Sequence, residues 1–253
     1  MIHIVKPAKV RLDRLLVERG LTPSREKAQA LVLAGQVLVD EQKEEKCGAR
    51  VGPDASIRLL GESAKYVSRG GVKLEGALEH FGVDVGGKVC LDIGASTGGF
   101  TDCLLKHGAN QVFAVDVGTN QLDWKLRGDS RVIVHEKTNA RYLAFEQVGV
   151  LFDVVTVDVS FISATLILPV LPPLLKPGAE VLVLVKPQFE VGRGQVGKGG
   201  IVRDVRLHQE AITKVSRKLE SLGLADIAPS ESVLPGVGGN REYFLHAVWR
   251  KSD

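Results

Sequence analysis

Residues 88–105 constrain this chain more than any other stretch. The apolar run 89–93 gives way to a turn containing Gly94, Gly98 and Gly99, and a helical pattern follows from about Phe100. Strand, glycine turn and helix make the opening unit of an α/β domain. Glycine permits a sharp turn and a close backbone approach, and the first NH groups of a helix face whatever lies before it. The spacing departs from the dinucleotide pattern, because position 96 is serine and Gly94 pairs with Gly98. A ligand without a pyrophosphate is therefore expected, and a tight strand-to-helix turn without any ligand is the alternative.

The strands that follow extend the pattern. Residues 111–116, 131–134, 152–158 and 181–185 are apolar runs separated by helical or turn-rich segments, and residues 242–249 form a last strand. In open α/β sheets ligands gather beyond the carboxyl ends of the strands. Three polar side chains stand there: Asp116, 24 residues after Asp92, then Asp158 and Lys186. An acid in the position of Asp116 can accept both hydroxyl protons of a ribose, or can cap its own turn. Asn139, just past the third strand, could touch a base. Helices are expected over 100–107, 164–175 and 203–222, and over 73–81 with Lys73 at its start. A cation is disfavoured at a helix N-terminus, so Lys73 hints at use. The glycine-rich, basic segment 192–200 is either a lid over substrate or an ordinary surface loop.

Ahead of this domain, residues 10–19 and 24–35 read as two short amphipathic helices, and 36–40 and 56–60 as strands. The polar, glycine-containing segment after them is the natural boundary, giving residues 1–60, a linker over 61–72, and a second domain over 73–253. Residues 1–60 hold 11 Lys+Arg against 8 Asp+Glu, while the remainder balances at 22 each, so the whole excess of +3 is N-terminal. A local basic excess suits a polyanion or a solvated helix face. No apolar run reaches the roughly 20 residues of a membrane span, the best candidate being broken by Pro169, Pro172 and Pro173. With no secretory signal pattern at the start, a cytoplasmic location is expected. Cys47, Cys90 and Cys103 are widely spaced, which argues against a zinc or disulfide framework, and no metal is expected.

The N-terminal pattern R-L-D-R-L-L-V-E-R-G-L-x-x-S-R-x-x-A-x-x-L-V-x-A-G-Q-V-L-V-D resembles the S4 RNA-binding domain. The resemblance implies RNA contacts from Arg11, Arg14, Arg25 and Lys27. The remainder is similar to the TlyA branch of the FtsJ-type S-adenosylmethionine-dependent methyltransferases. The likeness rests on S-R-G-G-x-K-L at 68–74, L-D-I-G-A-S-T-G-G-F-T-D at 91–102, T-N-A-R at 138–141, D-V-S-F-I-S at 158–163, V-K-P-Q-F-E-V-G-R-G-Q-V-G at 185–197 and G-N-R-E-Y-F-L at 239–245. It implies a Rossmann-like sheet with helices on both faces behind a small α+β S4-like domain. It also implies ribose 2'-O-methylation of ribosomal RNA through a tetrad that falls on Lys73, Asp158, Lys186 and Glu242.

Within that tetrad a neutral Lys186 would act as base, Asp158 and Glu242 would orient the lysines, and Lys73 would steady the hydroxyl or a nearby phosphate. The donor, S-adenosyl-L-methionine, would be held by Asp92, Gly94, Ala95, Ser96, Gly98, Gly99 and Phe100, with Asp116 on the ribose and Asn139 near adenine. Arg69, Arg193 and Lys198 would add RNA contacts. Members of the family modify RNA of one ribosomal subunit or both, a difference that tracks their chain ends. A stop four residues after Trp249 makes a cytidine of large-subunit RNA the favoured target, with small-subunit RNA possible. RNA capture is further expected to influence donor binding through the segment before Lys73. Two rival classes stand beside this reading: a haemolysin-type membrane-active protein, since family members carry that name, and an RNA-binding module without catalysis.

Overall fold

The structure is a computed structural model, and it describes residues 9–60 and 65–250. The chain divides into two compact units, one up to residue 64 and one from residue 65 onward.

In the first unit, β1 (Val10–Arg11) leads into α1 (Leu12–Glu18) and α2 (Arg25–Leu33), followed by β2 (Val37–Val39), β3 (Gln42–Lys43), β4 (Arg50–Val51) and β5 (Ile57–Leu59). Ser24 caps α2, its hydroxyl accepting the Lys27 amide. Leu12, Leu15 and Leu16 of α1 pack with Ala28 and Val32 of α2 and with Val37 and Val51, a single small core.

The second unit opens with α3 (Arg69–Phe81), then β6 (Val89–Ile93), α4 (Gly99–Lys106), β7 (Gln111–Val115), α5 (Trp124–Arg127), β8 (Val132–His135), α6 (Phe145–Val148) and β9 (Phe152–Val157). It continues through β10 (Leu175–Val185), α7 (Pro187–Glu190), α8 (Val205–Ser221), β11 (Leu224–Glu231) and β12 (Tyr243–Trp249). Seven strands lie in the order β11-β12-β10-β9-β6-β7-β8. The five from β10 to β8 are parallel, while at one side β12 runs antiparallel to β10 and β11 runs antiparallel to β12. Strand residues alternate between two cores: Leu91, Val155 and Val183 face α8, and Cys90, Val154 and Leu182 face α3 and α4. Both faces are covered, as near-continuous apolar parallel strands require.

The structure departs from the sequence expectations at several points, including these in the second unit. Residues 164–175 do not form one helix but three 3-10 turns, Ala164–Leu166, Leu168–Val170 and Pro172–Leu174, after which Leu175 already begins β10. Pro169, Pro172 and Pro173 supply no amide hydrogen and interrupt any helical ladder. The helix carrying Lys73 begins at Arg69, so residues 69–72 of the expected linker are helical. Its glycines belong there by packing: a Cβ on Gly71 would lie 2.2 Å from the ring of the buried Tyr66. Residues 61–64 of that linker lie outside the described residues. Finally, β11 is an edge strand not foreseen from its polar, proline-containing sequence, a composition that suits a sheet edge.

Candidate active site

The glycine turn leaves the end of β6 with Gly94 at φ 86. A Cβ there would stand 2.2 Å from the backbone oxygen of Asp158. The amides of Gly94 and Ala95 both donate to Val115 O, at 2.8 and 3.1 Å, and that of Ser96 donates to Asp116 Oδ2 at 2.8 Å. Those NH groups are consumed inside the protein, so this part of the turn is a wall permitting close approach rather than an anion nest. Gly98, at φ 94, abuts the side chains of Leu122 and Leu126.

Two cavities open at the carboxyl ends of the strands. The smaller, about 450 Å³, has apolar walls from Ile93, Val115, Ala140 and Ile167, with Asp116, Asn139, Gln121, Thr138 and Arg141 among its polar groups. The larger, about 580 Å³, is lined by Arg69, Lys73, Lys186, Gln188, Asn240 and Glu242 among others. Gly94, Ser96, Asp158, Ser160 and Phe161 line both.

All four expected tetrad residues reach the larger cavity. Lys73, in the second turn of α3, points inward and donates to Glu242 Oε2 at 2.6 Å, a buried pair 169 positions apart in sequence. Its partner resolves the apparent misplacement of a lysine near a helix start, because the helix begins one turn earlier. Lys186 Nζ lies 2.5 Å from Asp158 Oδ1 and donates to Ser160 Oγ at 2.8 Å. Asp158 Oδ1 is buried with no aligned hydrogen-bond donor, so its contact with Lys186 is ionic. Pairing is what makes these enclosed charges tolerable.

The expected donor-binding residues separate. Gly94, Ser96, Asp116 and Asn139 line the smaller cavity, whereas Ala95, Gly99 and Phe100 line only the larger one. Asp116 also caps its own turn, accepting from Gly118 N at 2.7 Å, and Asn139 Oδ1 accepts from Arg141 N at 3.1 Å. Gly98 and Asp92 line neither cavity. Asp92 is wholly buried, accepting from Thr101 Oγ1 at 2.7 Å and Thr156 Oγ1 at 3.1 Å, and so ties α4 to the sheet.

Burial pushes the Asp92 carboxyl up to about 7. The folded chain then holds a proton that the unfolded chain has lost, so this group's contribution to stability falls as pH rises from about 4 toward 7, by at most ~1.4 kcal/mol per pH unit. Asp92→Asn removes that dependence. Thermal melts at pH 5 and pH 8 are expected to show the variant gaining on the wild type at the higher pH; an unchanged difference in Tm would discard the buried-proton account.

The basic residues also fall into groups. Asp13 is fully buried and holds Arg11 through two hydrogen bonds of 3.0 and 2.9 Å, Arg25 at 3.0 Å and Gln29 at 2.9 Å. The Arg11 guanidinium holds the Asp13 carboxyl far below the usual carboxylate range. Arg11 and Arg25 therefore share one face, while Arg14 pairs with Glu18 at 2.6 Å and Lys27 is exposed. Arg69 is exposed at the larger cavity, Lys198 is exposed away from its lining, and Arg193 falls in the 3-10 turn Arg193–Gln195.

Several further residues of the sequence motifs shape the site without an expected role. Glu190, buried, accepts from Ser163 Oγ at 2.5 Å and Ala164 N at 2.7 Å and meets Lys214 at 3.1 Å, bracing α7 against the loop after β9. Asn240 accepts from Val202 N at 3.0 Å and donates to Gly200 O at 2.9 Å. It thereby straps the expected lid, whose Val196, Gly199 and Gly200 form part of the cavity wall. Phe161, 92% exposed at φ 66, leans on Phe189 with ring centroids 5.3 Å apart. The signal for these residues was position: each lies within six residues of a tetrad member.

Comparison with known proteins adds to this geometry. The FtsJ-like methyltransferase profile matches residues 66–249 and the S4 domain profile residues 10–57. TlyA of Mycobacterium tuberculosis, a 16S/23S rRNA (cytidine-2'-O)-methyltransferase, is 47% identical over 238 residues, covering 94% of this chain and 89% of its own. Hemolysin A of Brachyspira hyodysenteriae is 44% identical over 240 residues, covering 94% and 100%. A solved Streptococcus thermophilus structure described as a hemolysin superposes with a TM-score of 0.74 at 42% identity, covering 98% of this chain and 90% of that one. Among the described residues, no helix is long and apolar enough to cross a membrane.

Proposed function

The chain belongs to the FtsJ-like methyltransferases, with an S4 domain ahead of the catalytic unit, and from that premise we propose that it methylates the ribose 2'-hydroxyl of a cytidine in ribosomal RNA. The observation that carries this reading is the pair of cavities sharing Asp158 at their junction, one lined by Asp116 and Asn139 and the other by Lys73, Lys186 and Glu242. A methyl donor and a ribose hydroxyl need two such chambers meeting at one point.

The donor chamber fits S-adenosylmethionine by its chemistry. Apolar walls suit an adenine ring, Asn139 can meet its edge, and Asp116 keeps free lone pairs for the ribose hydroxyls beside its two backbone partners. Gly94 and Ser96 would flank the methionine part, with Ala95, Gly99 and Phe100 on the wall of the larger chamber, while Asp92 and Gly98 act through the shape of the turn. When bound, the donor supplies an electrophilic sulfonium methyl. A ribose hydroxyl is a weak nucleophile, so Lys186, once it has shed a proton, takes up the hydroxyl proton as base. Asp158 orients Lys186. Glu242 orients Lys73, whose ammonium steadies the hydroxyl or a neighbouring phosphate. Arg69, Arg193 and Lys198 would hold RNA beside the site, and Arg11, Arg14, Arg25 and Lys27 would position it by phosphate and shape contacts. A substrate of this kind places the work in the cytoplasm. The hemolysin name borne by relatives keeps a membrane-active role as the second reading.

The test incubates the purified protein with labelled donor and, separately, large subunits, small subunits and their naked RNAs. Labelled 2'-O-methylcytidine is expected in the large-subunit arm, and label confined to the small subunit would reassign the target. A protein that labels no arm is not an RNA methyltransferase of this kind.

A further inference from the structure

Among the described residues outside the tetrad, Ser160 hydrogen-bonds the group that carries the chemistry. Ser160 Oγ accepts a hydrogen bond from Lys186 Nζ at 2.8 Å, while Asp158 Oδ1 lies 2.5 Å from the same nitrogen. Ser160 also lines both cavities, so this contact stands at their junction. A tetrahedral amine nitrogen has three positions beyond its bond to Cε. As ammonium it fills them with three N–H groups; as the neutral base it has two N–H groups and one lone pair. Ser160 accepts one N–H, and Asp158 Oδ1 fills the space 2.5 Å from the nitrogen through an ionic contact. The direction facing neither is left for the lone pair.

We propose that Ser160 is a positioning residue for methyl transfer: by accepting one Nζ–H of Lys186 it turns the lysine lone pair toward the ribose hydroxyl. With Asp158 alone, the neutral amine would rotate about its Cε–Nζ bond and present an N–H to the hydroxyl in a share of encounters. The inference rests on the function proposed above. In the step itself Lys186 takes the hydroxyl proton as the oxygen–methyl bond forms, and the electron pair of the breaking carbon–sulfur bond stays on sulfur, cancelling its positive charge. The local backbone supports a built arrangement. Phe161, next in sequence, sits at φ 66, a left-handed conformation that is costly for a bulky residue and persists only where its surroundings demand it.

Three variants test this: Ser160→Ala, Ser160→Thr and Lys186→Ala. Rates are taken at saturating RNA and donor, and affinity for S-adenosylhomocysteine is measured by calorimetry. Ser160→Ala is expected to lower kcat about tenfold, the upper scale of one ordinary hydrogen bond, with KM for RNA and product affinity within about twofold. Ser160→Thr keeps the hydroxyl on an exposed side chain and is expected to restore kcat to within about threefold. An unchanged kcat in Ser160→Ala overturns the proposal, and so does a loss of product affinity in step with kcat, which would mark a merely structural role. Lys186→Ala separates the two layers. Retained turnover there removes the base assignment and the positioning role with it, whereas an inactive Lys186→Ala beside a fully active Ser160→Ala removes Ser160 alone.

Discussion

Replacing Lys186 with alanine is expected to lower the rate of methyl transfer by about 10²–10⁴-fold, the span that a positioned general base contributes, while the protein still binds S-adenosylhomocysteine. Lys186 lines the larger cavity and not the smaller one, so truncating it removes no wall of the chamber proposed for the donor. It does strip Asp158 of the ammonium 2.5 Å away. An enclosed carboxylate without its partner is destabilising, and a modest fall in Tm is expected with the loss of rate. The same carboxylate borders the donor cavity, where an uncompensated negative charge favours a cation. The variant should therefore prefer the sulfonium donor over the uncharged product more strongly than the wild type does. Calorimetry with both ligands and single-turnover rates measure the three effects together. Turnover within tenfold of wild type, in a variant that binds the donor, would remove Lys186 from the base role.

That prediction combines what the sequence disclosed with what it could not. Asp116, Asp158 and Lys186 were legible because position at the carboxyl end of a parallel strand is local information, readable from an apolar run and the polar residue that ends it. The pairing of Lys73 with Glu242 was not, since no spacing relates residues 169 apart and only the folded sheet brings α3 to the start of β12. Asp92 looked like a ligand contact because it sits inside the glycine motif, yet strand alternation sends its side chain inward to Thr101 and Thr156. Residues 164–175 form no single helix for another reason: three prolines lack the amide hydrogen a helical ladder needs, and backbone donors decide whether a helix can continue. Ser160 escaped because an exposed serine carries no signal of its own until Lys186 is seen beside it. The two basic groups of the first unit show the same limit, for only the burial of Asp13 reveals that Arg11 and Arg25 share a face and Arg14 does not.

Gly94→Asp should leave no measurable donor binding and lower turnover by more than about 10²-fold, and both losses have one origin. At φ 86 the residue occupies a region that side chains rarely enter, and the first side-chain atom would sit 2.2 Å from the backbone oxygen of Asp158. A backbone atom cannot rotate aside. Relief must come from moving the loop after β9, which carries Asp158 and Ser160, and a displacement of about 1 Å at a reacting centre costs on the order of 10²-fold in rate. The added carboxylate would also crowd the smaller cavity, which Gly94 and Asp116 both line. Gly94→Ala isolates the steric part and should fall between wild type and Gly94→Asp in both donor affinity and rate. Gly98→Ala provides the contrast. It too has a left-handed backbone, at φ 94, but its clash is with Leu122 and Leu126, whose ends can shift, and it lines neither cavity. Overpacking of that kind costs about 1–3 kcal/mol of stability, so Gly98→Ala should melt earlier yet bind the donor. If calorimetry instead found Gly94→Asp binding normally, or Gly98→Ala losing the donor to the same degree, close approach at Gly94 would not be what shapes the donor site.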